Sequence, residues 1–263
     1  RMGMPVGDYQ KIVVAFPDVE FVDAADIIVK LRMVKSSEEL VYIRKAAGIT
    51  ARARQRLFDG EIKLGMTERD VARTFKRLIL EEGGDRTSFV FIHNELPGSK
   101  NQFHYERPLK KGTMLAVDAG AYYWQYTLDY PRFAVLGKAT DKQKRLHAAA
   151  KWVNQQMADA LRPGLTCSEL HFIGAKALED AGVEVNFPER LTKGRMGHGQ
   201  GMLLTEPPSV SPRDHTVLEE GMVLSTEPGI KGFGSWEEVH VITENGYEQL
   251  TTDPDALREI PFG

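Results

Sequence analysis

One cysteine, Cys167, is all that the 263 residues carry. No internal disulfide can form, and the chain reads as one suited to a reducing, cytoplasmic compartment. Long apolar runs are missing too: nothing approaches the roughly 20 residues that cross a bilayer. The opening residues lack the pattern of a signal peptide. Charge of one sign is not in excess, with 34 Lys and Arg against 37 Asp and Glu. A net charge of −3 gives no electrostatic footing for nucleic acid or an anionic membrane. No glycine-rich phosphate loop is present, which leaves a nucleotide-binding reading weak. What remains is an ordinary globular composition, 42% hydrophobic and 27% charged, with room for one large domain or two modest ones.

Helix signals begin at Ser36, where Ser36 and Glu39 form a capping box ahead of a helical segment to about Phe58. "GMTERDVARTFKRLILEEGG" (65–84) is a second capped helix, with Thr67 as cap, Asp70 three residues on and Gly83-Gly84 as the stop. "GLTCSELHFIGAKALEDAG" (164–182) repeats that design with Thr166, Glu169 and Gly182, after a helical stretch over 141–161. Strand-like runs follow each helix pair: "TSFVFIHN", "GTMLAVDAGAYYW" and "YPRFAVLG", then "GMVLSTEPGI" and "EEVHVITENG". Helix–helix–strands therefore occurs twice, a pseudo-repeat of about 100 residues. Segregated helices with antiparallel-type strands predict an α+β fold.

Four acids sit inside or at the ends of apolar strands: Asp118, Asp129, Glu227 and Glu237. A buried carboxylate costs several kcal/mol unless a cation or hydrogen bonds compensate it. Four of them, with His198 among the small residues of "GHGQGMLLTEPPSV", make an interior of unbalanced negative charge. A bound metal resolves it, and the ligand count favours two adjacent divalent ions. Carboxylates with one imidazole suit Mn, Fe, Co or Zn, without choosing among them.

"VDAGAYY", "LDYPRF", "GHGQG…EPPSV", "LSTEPGI" and "EEVHVITENGYEQLT" resemble the successive signatures of the pita-bread metallohydrolases. That family includes methionine aminopeptidase, aminopeptidase P, prolidase and creatinase. The two aspartates also lie 11 positions apart, as in the family. The resemblance implies a pita-bread domain over 31–263, with 1–30 as the tail or linker of an N-terminal domain. It implies that Asp118 chelates one ion, that Asp129 and Glu237 bridge both, and that His198 and Glu227 hold the other. A bridging water would be the nucleophile, and Glu227 would take its proton. His104 matches a substrate-facing histidine. The activity implied is cleavage of a C–N bond in a small substrate such as an Xaa-Pro dipeptide, by a homodimer.

Three positions depart from the peptidase pattern. Thr205 stands where a second substrate-contacting histidine is usual, Ser235 where an arginine precedes the last glutamate, and Pro131 where a threonine follows the second aspartate. These keep open a non-peptidase branch such as an ectoine hydrolase or creatinase-like amidinohydrolase, a metal-dependent lyase, or a non-catalytic binding domain. Tyr122, Tyr123, Trp124 and Trp236 are candidates for an aromatic wall or for core. His93, His147, His171 and His215 read as structural or peripheral, and His240 as facing either the site or solvent. Glu238 is expected on the face opposite Glu237. Asp253 and Asp255 read as a solvated tail, and Gly197 and Gly199 as letting the backbone approach the metals.

Overall fold

The computed structural model describes residues 4–93, 106–185 and 188–261. Its helices are α1 (Val6–Ala15), α2 (Ala25–Met33), α3 (Ser37–Arg56), α4 (Glu68–Glu81), α5 (Asp141–Asp159) and α6 (Cys167–Asp180). The last four each open on a reciprocal capping box: Ser36 with Glu39, Thr67 with Asp70, Thr140 with Gln143 and Thr166 with Glu169. Each box gives two otherwise orphaned N–H groups a partner, which is why the helices start where they do.

The strands are β1 (Arg86–His93), β2 (Met114–Tyr123), β3 (Tyr126–Thr127), β4 (Tyr130–Leu136), β5 (His198–Gly199), β6 (Glu206–Ser209), β7 (Val223–Thr226), β8 (Gly229–Ile230), β9 (Gly234–Ser235), β10 (Glu238–Thr243), β11 (Gly246–Gln249) and β12 (Arg258–Ile260). One sheet runs β1-β2-β4-β12, with β3 folded back on β2. A second runs β11-β10-β7-β5-β6, and β8 pairs with β9. Pairing is antiparallel except for β12 alongside β4. The α+β expectation is met, and so is the duplication. Thr67 and Thr166, the caps of the second helix in each half, make equivalent backbone bridges to Pro108 and Val217.

Each half has its own core. Ile49, Val71, Phe75 and Leu78 of the first helix pair pack on Val90, Leu115 and Val117. Val153, Met157 and Leu170 of the second pack with Leu224, Ile242 and Trp236. A third cluster, with Ile43, Leu128, Tyr130, Val223 and Val239, joins the two sheets. Large apolar side chains buried this fully contribute about 1.5–3 kcal/mol each.

The interface between the sheets also carries charge. Arg132 of β4 donates to Glu238 Oε2 at 2.8 Å and to the Glu237 carbonyl at 3.1 Å, and lies 3.3 Å from Asp253 Oδ1. Arg54 of α3 donates to Asp253 Oδ2 at 2.8 Å and to the carbonyls of Ala119 and Tyr130. Both guanidinium groups stack on the Tyr130 ring. Asp253 is therefore no solvated tail residue: its side chain is only 4% exposed. The tail folds back because two arginines, 199 and 121 positions away in sequence, need its carboxylate. Asp255 does remain at the surface, paired with Lys151.

The stretch read from the sequence as tail or linker, 1–30, holds α1 and most of α2, and neither helix buries a residue fully. The chain then docks: Lys35 N–H donates to the Gly221 carbonyl, and its ammonium reaches Glu206 Oε1 at 2.9 Å. Among the described residues no helix is long and apolar enough to cross a membrane.

Candidate metal centre

Both sheets contribute to one cluster. Asp118 comes from β2, and Asp129 from the turn between β3 and β4. His198 is on β5, Glu227 just follows β7, and Glu237 just precedes β10. Residues more than a hundred positions apart meet because an apolar cluster joins the two sheets. Ligand atoms of Asp129, His198 and Glu237, all buried, lie within 4.8 Å of one another. Asp118, Glu227 and Glu237 line one cavity of about 180 Å³. The acids of the sequence reading are thus brought together, and His198 joins them with Nε2 3.9 Å from Glu237 Oε1.

The orientation of His198 is set locally. Its Nδ1 lies 3.1 Å from the Gly199 carbonyl, which can only accept a hydrogen bond. The proton therefore sits on Nδ1, and the Nε2 lone pair faces the carboxylates. Burial holds the imidazole below its usual pKa, against the attraction of Glu227, so it is neutral and fit to ligate.

The acids are perturbed in the opposite sense. Desolvation, then the charge of Glu227, pushes Asp118 up to about 7, with Arg54 opposing. Desolvation and the neighbouring charges of Asp118 and Glu227 hold Asp129 well above the carboxylate range. Glu237 is raised by burial and by Asp129, with a hydrogen bond from Ser225 opposing. Asp118 is half-buried as a residue, yet its Oδ1 is sealed and has no hydrogen-bond partner. Among the described residues the one cation in salt-bridge range of Glu227 is Arg195, whose Nε is 3.5 Å away on a 40% exposed side chain. A sealed carboxylate oxygen, mutually repelling acids and a neutral imidazole fit a divalent cation.

The surroundings correct several expectations. Trp124 is 66% exposed and stacks on Tyr42, while Trp236 is core, stacked on Phe133 with its indole N–H on Glu238. The apolar wall of the cavity comes instead from Phe91, Phe133 and Pro131. His93, read as structural or peripheral, also lines it, edge-on to Phe91. Ser235 lines it as well, so two of the three departures from the peptidase pattern face the cavity. His240 faces neither site nor solvent: it is fully buried against Tyr247, and burial pushes it down to about 3. Glu238 points away from Glu237, as alternation along a strand requires. Thr205 is exposed on the bend at 201–205 and is not among the cavity-lining residues. His104 lies outside the described residues.

Gly197 and Gly199 let backbone meet backbone. A Cβ on Gly197 would sit 2.1 Å from the Ser225 carbonyl oxygen, and one on Gly199 2.3 Å from that of Pro207. Gly120 is tighter still, with a Cβ 1.6 Å from the Leu128 carbonyl oxygen. Sequence reasoning missed Gln200 and Ser225, both fully buried beside the cluster. The one available signal for Gln200 was a long polar side chain inside a run of glycines.

Residues 41–245 match the profile of metallopeptidase family M24. Xaa-Pro dipeptidase of Lactobacillus delbrueckii subsp. lactis is 33% identical over 269 residues, covering 99% of this chain and 72% of that one. Xaa-Pro dipeptidase of Pyrococcus furiosus is 31% identical, covering 88% and 67%. Among solved structures, the prolidase of Pyrococcus furiosus superposes with a TM-score of 0.82 at 30% identity, over 93% of this chain and 73% of that one. The X-Pro aminopeptidase of Thermotoga maritima gives 0.86 at 26%, over 97% and 73%. The architecture is the pita-bread fold, the site is one for divalent metal, and the chain belongs to metallopeptidase family M24.

Proposed function

We propose that this protein is a metal-dependent Xaa-Pro dipeptidase. The observation that carries the reading is a buried cluster of Asp129, His198 and Glu237 that shares Glu237 with a cavity lined by Asp118 and Glu227, in a chain one-third identical to an Xaa-Pro dipeptidase along 99% of its length. Asp118, Asp129, His198, Glu227 and Glu237 would hold the divalent ions. When bound, such ions polarise a carbonyl and make a potent nucleophile of water near neutral pH.

The chain's own groups do the rest. His198 offers Nε2 because Gly199 engages Nδ1. Glu227, on the cavity wall with Arg195 beside it, is placed to hold a proton taken from water and pass it on. Phe91, Phe133 and Pro131 give the cavity a dry side for an apolar ring. Substrate contact by His104 and Thr205 rests on the resemblance alone. A cytoplasmic location and a homodimer belong to the same reading, in keeping with the unpaired thiol of Cys167.

The test is metal analysis followed by a panel of Xaa-Pro dipeptides, creatine and ectoine. Expected are bound divalent metal, hydrolysis of Xaa-Pro dipeptides, and loss of detectable turnover in Asp129→Ala and Glu237→Ala. Turnover of creatine or ectoine in preference to every dipeptide would move the protein to another branch. A chain that takes up no metal would overturn the reading.

A further inference from the structure

Gln200 contacts the acid cluster from a fully buried position. Its Nε2 donates to Asp129 Oδ1 at 2.7 Å and to the Asp129 carbonyl at 3.2 Å, and lies 3.5 Å from Glu237 Oε1. Its Oε1 accepts from the Asp129 backbone N–H at 3.4 Å. These partners fix which end of the amide is which: the Asp129 N–H must meet the oxygen, and the Asp129 carbonyl, which only accepts, must meet the nitrogen. The residue is itself pinned. Its backbone N–H donates to the Val223 carbonyl, and the next carbonyl, of Gly201, accepts from Thr127 N–H at 2.8 Å. Gln200 thus sits on the second sheet and grips both the main chain and the side chain of an acid from the first.

We propose that Gln200 is a positioning residue of the metal centre, fixing the carboxylate plane of Asp129 and its separation from Glu237. A carboxylate oxygen has two lone pairs. The amide occupies one direction at Oδ1 and leaves the other, with Oδ2, for a cation. It also puts the positive end of a neutral dipole between two acids that repel each other, at no cost in net charge. An apolar side chain of the same size would leave the Asp129 N–H, the Asp129 carbonyl and Oδ1 without this partner. The inference rests on the metal-site reading above. Outer hydrogen bonds of this kind are worth roughly 10- to 100-fold in metal affinity.

Co2+ is the probe, titrated into the whole chain by calorimetry and followed by its visible absorption, which reports coordination geometry independently of turnover. The proposal expects Gln200→Met to melt cooperatively without metal, as the parent does, yet to bind Co2+ roughly 10- to 100-fold more weakly with an altered visible band. Gln200→Asn, one methylene short of Asp129 Oδ1, should show the same loss, and it serves where the methionine variant fails to fold. In the unmodified protein the Gln200 side-chain amide protons should exchange slowly and shift on Zn2+ addition. Unchanged Co2+ affinity and spectrum in either folded variant, or amide exchange at the solvent rate, overturns the proposal. Absence of Co2+ binding by the parent overturns the metal-site reading and this proposal with it.

Discussion

Two buried charged clusters lie back to back across the first residues of β10, and they differ in one respect. The cluster around Arg54, Arg132, Glu238 and Asp253 is neutral, two guanidinium groups against two carboxylates, with three aromatic–cation contacts around it. The cluster around Asp118, Asp129, Glu227 and Glu237 has four acids, a neutral imidazole and one partly exposed arginine. Burial of charge is common to both. Balance is not: the neutral cluster borders a space of only about 20 Å³, while the unbalanced one lines a cavity of about 180 Å³. A buried charge by itself is therefore weak evidence of chemistry, and an uncompensated set of like charges is strong evidence.

The comparison can be broken most forcefully at Arg132. Arg132→Met leaves Glu238 and Asp253 short of a partner, and should cost about 3–5 kcal/mol in chemical denaturation. A cost under about 1 kcal/mol would mean that the neutral cluster is not a structural unit.

A smaller effect separates the clusters by pH. Asp118 binds its proton more tightly in the folded, metal-free chain than in the unfolded one, with a pKa raised from 3.8 to about 7. Stability from that group is present below pH 4 and is lost as pH rises to about 7; Asp129 and Glu237 act in the same direction. The melting temperature of the metal-free protein should fall over that window, at about 2–4 °C per kcal/mol for a chain of this size. Replacing Asp118 with Asn should flatten the fall. A melting temperature that rises steadily from pH 4 to 7 would contradict the account.

The smallest effect is the control. Arg44 and Glu248 make a short surface pair with side chains 42% and 44% exposed. Arg44→Ala should change stability by less than about 1 kcal/mol, and less again in high salt. A larger loss would show that the Arg132 result reflects ion pairs in general rather than burial.

Much of this was legible in the residues. Capping boxes at Ser36, Thr67 and Thr166 announced three helices, because a cap and its partner are three residues apart. The apolar runs around Asp118, Glu227 and Glu237 announced strands, and acids embedded in them announced the site. What escaped depends on distant partners. Asp253 looks solvated until Arg54 and Arg132 are in place beside it. β12 is three residues long and pairs with a strand more than a hundred positions earlier. Trp124 and Trp236 have the same local apolar character, yet one lies on the surface and the other in the core. Gln200 is an unremarked amide until the first sheet delivers Asp129 to it.

The glycines beside His198 bear on how the chain tolerates change. Gly199 engages His198 through its carbonyl, and the space a side chain would need at 197 or 199 is already filled by a carbonyl of an adjoining strand. In a survey of all substitutions, these two positions would score as severely as the ligand between them. Gly197 would look functional on packing alone, whereas the Gly199 carbonyl also holds the imidazole. The absence of side chains on either side lets neighbouring strands close around the imidazole, so this glycine pair is partly a record of what cannot fit.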